Sequence, residues 1–317
     1  MPISKTKVAI IGAGNVGTIC AYTILGQGVC DEIVLVDLNR EKAYAEALDM
    51  QHAVYFMDRN TRIYAGDYED VSDADILIIT ASAPTPKSAK NRLEMLAPTM
   101  KIMRAIITSV MKVGFNGKII VISNPVDIMT YYAWKLSGLD ASCVMGTGTT
   151  LDSARLCVEL GEMCDVKPRD VNAYILGEHG DSEIAAWSTA NIGGRKIDEF
   201  LSEDKHCDMG AIHNEVLNQT INSGWEIWSR KGNTSFGIAS STAAMVKSLL
   251  SDNAVVLPVS SLLTGQFGID GVYLSIPCVI DHTGIRQALE PNIADKELEA
   301  LRKSADLLQS FYEDLDV

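Results

Sequence analysis

Residues 7–37, KVAIIGAGNVGTICAYTILGQGVCDEIVLVD, decide the fold. An unbroken apolar run at Val8–Ile11 turns at Gly12 into a segment whose apolar residues Val16, Ile19, Cys20 and Ile24 recur at helical spacing. A second apolar run, Ile33–Val36, ends on Asp37. This reads as strand, glycine turn, helix, strand. Gly12 permits the tight turn, Gly14 lets backbone approach a pyrophosphate, and Gly17 lets the helix lie close to the sheet. The helix N-terminus adds N–H donors and partial positive charge. Asp37, 20 residues after Gly17, stands where a carboxylate accepts the ribose hydroxyls of a dinucleotide. The cofactor-facing set is therefore Gly12, Gly14, Asn15, Val16, Gly17 and Asp37; the plainer alternative is a glycine turn with no ligand. Asp37 favours NAD over NADP, because a second negative group ~4 Å away costs roughly 1–4 kcal/mol at surface-like dielectric. Arg40, three residues on, argues the other way.

Outward from this unit, strand and helix continue to alternate. Residues 41–57 are rich in helix formers, and short strands follow at Arg62–Ala65 and Ile76–Thr80. Residues 81–91 carry Pro84, Pro86 and two lysines and read as a loop able to move, ahead of a long helix from about Arg92 to Lys112. Strands at Lys118–Ile122 and Cys143–Met145 complete the series, with SNPVD at 123–127. Such order implies an α/β fold with a doubly wound parallel sheet, whose ligands sit beyond the carboxyl ends of the strands. Gly12–Gly17, Thr80–Asn91 and Ser123–Asn124 should converge there. From about residue 150 the pattern is mixed: helices near 150–163, 209–228, 234–250 and 294–313, and strands near 171–176, 254–261 and 272–281. Pro258 and Pro277 mark the last two runs as edge strands or bulges. The predicted division is a Rossmann domain, residues 1–148, and a mixed α+β substrate domain, residues 149–317.

Composition narrows the function classes. At 317 residues with 47% hydrophobic content the chain can fill two cores. A formal net charge of −14 argues against nucleic-acid partners. Seven cysteines, odd in number and without a CxxC pair, fit neither a disulfide framework nor a zinc site, so no metal is expected and the thiols read as reduced, in a cytoplasmic protein. No apolar run approaches the ~20 residues of a membrane span.

The chemistry concentrates in two tracts. GEHGDS, residues 177–182, sets His179 in a loop among glycines and acids, the best placed of five histidines to titrate; His52, His206, His213 and His282 read as solvated surface groups. Asp152 and Arg155 are three apart on a helix and share a face, either as a simple ion pair or as a carboxylate and a guanidinium aimed into one pocket.

Together the tracts GAGNVG, EALDMQHA, SNPVD, GTGTTLDSAR, GEHGDSEIAAWS, NTSFGIA and VLPVSSLLTGQFG resemble the L-lactate and L-2-hydroxy acid dehydrogenase family, with its malate dehydrogenase relatives, over nearly the whole chain. The resemblance implies that His179 is the proton donor and acceptor, Asp152 its orienting carboxylate, Arg155 the bidentate anchor of the substrate carboxylate and Arg92 the loop arginine that polarises the carbonyl. It also implies that Asn124 hydrogen-bonds near the reacting oxygen beside the cofactor and that Thr234 lines the substrate pocket. Without it, Arg92 would read as a solvated helix-start residue. Reduction of a 2-keto acid builds negative charge on the carbonyl oxygen, so an imidazolium and a guanidinium placed there favour the transition state over the ground state. A cofactor-binding protein without turnover would have no reason to carry His179, Asp152, Arg155 and Arg92 together.

The match breaks in the loop. Lactate enzymes resemble NQKPGETR there, with a glutamine six residues before the arginine, where malate enzymes place an arginine. This chain has APTPKSAKNR, residues 83–92, one residue longer, with Pro86 at the selecting position between Thr85 and Lys87. Lys87 and Lys90 read either as partners for a second substrate carboxylate or as solvated lid charges. Pyruvate and lactate are the favoured pair, followed by longer 2-hydroxy acids such as 2-hydroxyisocaproate, then malate. The basic pair that binds sugar-phosphate activators in bacterial relatives is replaced by Cys157 and Asn172, neither of which binds a phosphate by charge. The family is usually tetrameric or dimeric, and helix 41–57 would lie in a shared homo-oligomer interface.

Overall fold

The computed structural model describes residues 5–83, 96–202, 208–312 and 315. Arg92, Thr85, Pro86, Lys87 and Lys90, with the rest of 84–95, lie outside the described residues, as do His206 and Cys207. The first half runs β1 (Lys7–Ile11), α1 (Asn15–Gly26), β2 (Glu32–Val36), α2 (Arg40–Ala53), β3 (Arg62–Ala65), β4 (Ile76–Ile79), α3 (Leu96–Lys112), β5 (Lys118–Val121), α4 (Val126–Ser137) and β6 (Val144–Gly146). These six strands are parallel in the order β3-β2-β1-β4-β5-β6, the doubly wound arrangement the alternation predicts. Every residue of β1, β4 and β6 is buried, which is why they read as unbroken apolar runs: helices cover both faces of a parallel sheet. Truncating any one of Ile10, Ile78 or Ile120 to Ala should cost about 2–5 kcal/mol.

Local chemistry sets the helix ends. Asn39 caps α2 by accepting the Lys42 N–H, and Gly138, at φ +65°, ends α4 in the left-handed region. The start of α1 differs. Its cap is Gly14, which has no side chain, so its first-turn donors carry no side-chain cap and stay available to an anion.

The second half contains α5 (Thr150–Met163), β7 (Val171–Asn172), β8 (Ile175–Leu176), β9 (Ile184–Ala185), β10 (Asn191–Ile192), β11 (Arg195–Lys196), α6 (Ile197–Leu201), α7 (Met209–Lys231), α8 (Phe236–Leu249), β12 (Val255–Thr264), β13 (Asp270–Asp281), β14 (Gly284–Ala288) and α9 (Asp295–Tyr312). The strand expected over 171–176 is two strands in two small sheets, β11-β10-β7 and β8-β9. The long strands β12–β14 continue the parallel sheet, antiparallel, beyond β6, where Ser260 pairs with Gly146. One hydrophobic core consequently runs through both halves; α1 packs against α8, and a smaller cluster lies under α5 and α7.

This corrects the reading of Pro258 and Pro277, because both stand on interior strands, directly opposite each other. Two prolines cannot exchange N–H···O bonds, so theirs is a non-hydrogen-bonded pair, and each missing N–H points away from the shared ladder. The carbonyls point outward too: Pro258 O accepts from Thr150 Oγ1 at 2.9 Å and Pro277 O from the Leu289 N–H at 2.8 Å. Pro258 lies past the end of β6, and Pro277 past the last paired residue of β14, so no ladder bond is lost.

Candidate active site

The ends of β1, β4 and β5 form a crevice. In the turn after β1, Gly12 has φ +110°, and a Cβ there would meet Thr80 Oγ1 at 2.5 Å. At Gly17 a Cβ would lie 1.8 Å from Gly12 O, so glycine is compulsory where α1 crosses the turn. Gly14 is different: a Cβ there meets nothing within 4 Å, leaving open space beside uncapped helix donors. Asp37 holds the turn, accepting the Ala13 N–H through Oδ2 at 2.7 Å and the Asn39 N–H through Oδ1 at 2.8 Å. Arg40 pairs with Asp67 at 2.5 Å in an ion pair exposed on both sides. Asn124 lines the crevice with Val16 and Thr80, and its buried Oδ1 has no hydrogen-bond partner among the described residues. An uncapped helix start, an open glycine and an orphaned amide oxygen fit a dinucleotide laid across the strand ends.

The acid/base group stands beside this crevice. Asp152, in the first turn of α5, is buried and divides its carboxylate: Oδ1 accepts from Arg155 Nη1 at 2.7 Å and Oδ2 lies 2.5 Å from His179 Nδ1. An ionised carboxylate can only accept, so Nδ1 carries the proton of that bond and Nε2 is the ring nitrogen left to exchange one with a substrate. The start of α5 is stitched to the strand that leads into His179: Thr149 Oγ1 donates to Ile175 O at 2.6 Å, and Ser153 Oγ accepts the Ile175 N–H at 2.8 Å. The loop itself starts at Gly177, φ +96°, and is seated on α9, where Ser304 Oγ accepts the Glu178 N–H at 2.9 Å. From the other side, Asp127 Oδ2 accepts the His179 N–H at 2.8 Å.

A cavity of about 220 Å³ joins these groups, with Asn124, Arg155, His179 and Thr234 in its wall, so those expected residues do converge. Its third wall is missing from the sequence reading: Gly224, Trp225 and Trp228 of α7. The two indoles meet edge to face, centroids 5.6 Å apart. Two tryptophans three apart on a helix otherwise rich in polar groups were the available signal.

Other readings resolve as well. His213 is not a solvated surface group: its ring lies flat on Trp187, centroids 4.1 Å apart, with Nε2 2.7 Å from Asp198 Oδ1. Asn214 and Glu215 follow it in the chain, but Trp187 and Asp198 approach from elsewhere and cover the ring. His52 and His282 are exposed. The described cysteines are free thiols, and burial pushes Cys20 and Cys30 up to about 12 and Cys278 to about 11, so they pack as apolar groups rather than react as thiolates. Cys157 Sγ lies 3.5 Å from the carbonyls of Val171 and Ala173, while Asn172 is exposed. Asp152, His179 and Glu183 have ligand-type atoms within 4.8 Å of one another, but both Asp152 oxygens are engaged by His179 and Arg155, which makes the cluster a hydrogen-bonded couple rather than a metal cage. Among the described residues no helix is long and apolar enough to cross a membrane.

Comparisons with known proteins agree along the whole chain. Residues 6–146 match the NAD-binding domain of lactate/malate dehydrogenases and residues 149–315 the alpha/beta C-terminal domain. The chain is 45% identical to L-lactate dehydrogenase 3 of Bacillus thuringiensis subsp. konkukian over 306 residues, 96% of each chain. It is 42% identical to an L-lactate dehydrogenase of Lactococcus lactis subsp. cremoris over 315 residues, 99% of this chain and 100% of the relative. The crystal structure of the minor L-lactate dehydrogenase from Enterococcus mundtii in its ligands-bound form superposes with a TM-score of 0.94 at 39% identity, covering 99% of both chains.

Proposed function

The chain belongs to the lactate/malate dehydrogenase family, and from that premise we propose that it is an NAD-dependent L-lactate dehydrogenase interconverting pyruvate and L-lactate. The observation that carries this reading is the division of the Asp152 carboxylate between His179 and Arg155 in a cavity continuous with the glycine crevice.

When bound, NADH supplies the hydride. Gly12, Gly14, Asn15, Val16, Gly17 and Asp37 hold the dinucleotide, with Asn124 offering its buried amide where cofactor and substrate meet. Arg155 anchors the substrate carboxylate, and its planar fork matches that group as a lysine ammonium does not. Asp152 steadies both partners and stabilises charge on the imidazole. His179 delivers a proton from Nε2 to the carbonyl oxygen during reduction and takes it back in oxidation, a role generally worth 10²–10⁴ in rate. Thr234 borders the substrate, and Arg92, carried on the loop, brings a second cation to the carbonyl when the loop closes and water leaves.

The division of labour places the cofactor in residues 1–148 and the acid/base chemistry in 149–317. A homo-oligomer, dimer or tetramer, is supported by Tyr44, Leu48, Tyr55 and Phe56, which leave α2 and the turn after it with exposed apolar surface; sedimentation of the purified chain tests it. A cytoplasmic location accords with the free thiols. The substrate is tested by NADH oxidation with pyruvate, oxaloacetate and 2-ketoisocaproate at equal concentration without activator. Pyruvate should be fastest; a preference for oxaloacetate would assign Lys87 or Lys90 to a second carboxylate, and one for 2-ketoisocaproate would move the enzyme to longer 2-hydroxy acids.

A further inference from the structure

The imidazole of His179 is held by Asp152, but the position of the loop that carries it is set by a second carboxylate. Asp127 lies in the first turn of α4, three residues after Asn124, and its Oδ2 accepts the His179 backbone N–H at 2.8 Å. Its residue is 2% exposed and Ser260, beside it on β12, is wholly buried. The contact spans the two halves of the protein, since Asp127 follows the strand end that meets the cofactor and His179 belongs to the loop seated on α9.

We propose that Asp127 is a positioning residue: it fixes the backbone of His179 relative to Asn124, so that the proton-exchanging nitrogen stays in register with the cofactor crevice. The inference rests on the reading of His179 as the acid/base group. Asp152 orients the ring; Asp127 locates its anchor. An acceptor that carries charge and is held in a helix first turn makes a stronger and stiffer tether than a neutral carbonyl would.

Burial pushes the Asp127 carboxyl up to about 6, against the pull of the Ser260 hydroxyl, the His179 N–H and the His179 ring. The groups that face it are His179 and Glu178 on the loop, Ser260 on β12 and Tyr312 on α9. The tether therefore gains charge as the pH rises through about 6 and loses it progressively as the pH falls through that value. Pyruvate reduction needs His179 protonated, so acid alone does not disable the proton donor; an acid-side fall in kcat near pH 6 belongs to the tether.

The test compares Asp127→Ala and Asp127→Asn with the wild-type enzyme and with His179→Asn, reading kcat for pyruvate reduction, KM for NADH and the pH profile of kcat. Asp127→Ala should lower kcat about 30- to 100-fold, the cost of a misplaced acid, with KM for NADH within twofold. Asp127→Asn should recover at least tenfold of that loss, because its amide oxygen accepts the same N–H, and its kcat should lack the fall near pH 6. Asp127→Ala with kcat within threefold of wild type, or Asp127→Asn with an unaltered acid limb, overturns the proposal. Should Asp127→Ala show no cooperative unfolding transition, the Asp127→Asn pH profile decides alone. If His179→Asn keeps its activity, the acid/base reading itself falls; if only the Asp127 variants behave as wild type, the tether falls and that reading stands.

Discussion

The cofactor crevice is made of backbone and of side chains that are absent, whereas the acid/base cluster beside it is made of side chains gathered from α4, α5, α9 and the 177–182 loop. At Gly17 an added Cβ would fall 1.8 Å from Gly12 O, so the turn tolerates no substituent and fails as geometry. At His179 and Asp152 the fold does not depend on the reacting nitrogen, so those residues fail as chemistry. Binding and turnover should therefore come apart under mutation according to which region is touched.

The largest effect belongs to the cluster. Asn in place of His179 should cost 10²–10⁴ in kcat while leaving NADH binding, followed by fluorescence titration, unaltered. A parallel loss of NADH affinity would break the distinction between the two regions. Next comes Gly17→Ala, for which we expect NADH affinity to fall by about 100-fold together with a drop of several degrees in Tm, because the β1–α1 turn must open to admit the methyl group. A variant with native affinity would show that the turn is softer than its contacts imply. Gly14→Ala sharpens the point: with nothing within 4 Å of the new Cβ, Tm should stay within about a degree, whereas NADH affinity should weaken roughly tenfold as the methyl group enters the cradle. The smallest effect lies away from both regions. The Thr6 backbone N–H, then Arg59, hold the Asp31 carboxyl down at about 2, against 3.8 ordinarily. That stabilisation is complete above about pH 4 and disappears as the pH falls through 2, so Asp31→Asn should lower Tm slightly at pH 7, match wild type near pH 2 and leave kcat unchanged.

The crevice was legible because its signals are local. Glycines at 12, 14 and 17 and an acid at 37 lie within one βαβ unit, and each answers a constraint met inside that unit. Asp152 and Arg155 were legible as a pair through helical spacing, and His179 through the composition of its loop, but the bond between His179 and Asp152 joins positions 27 apart and needed the family resemblance to be foreseen. Contacts made by packing were not legible. Nothing near Asp127 in the chain announces that it holds the backbone at 179, and Trp225 and Trp228, though their spacing on a polar helix marks a shared apolar face, do not announce what they face. Pro258 and Pro277 misled for a related reason: proline reports only that one donor is missing, while the pairing partner decides whether that donor was needed.

The continuation of the parallel sheet by β12 has a consequence for how the protein is made. When β6 leaves the ribosome its outer hydrogen-bonding groups have no partner, and the strand that covers them is translated more than a hundred residues later. At ordinary elongation rates that interval is roughly 5–25 s, far longer than local elements take to form. During it the nascent cofactor half presents an open, fully apolar strand to whatever else is in solution. A chain stalled between residues 150 and 250 should accordingly be a substrate for chaperones and prone to aggregate, although every residue of the glycine crevice has already been synthesised.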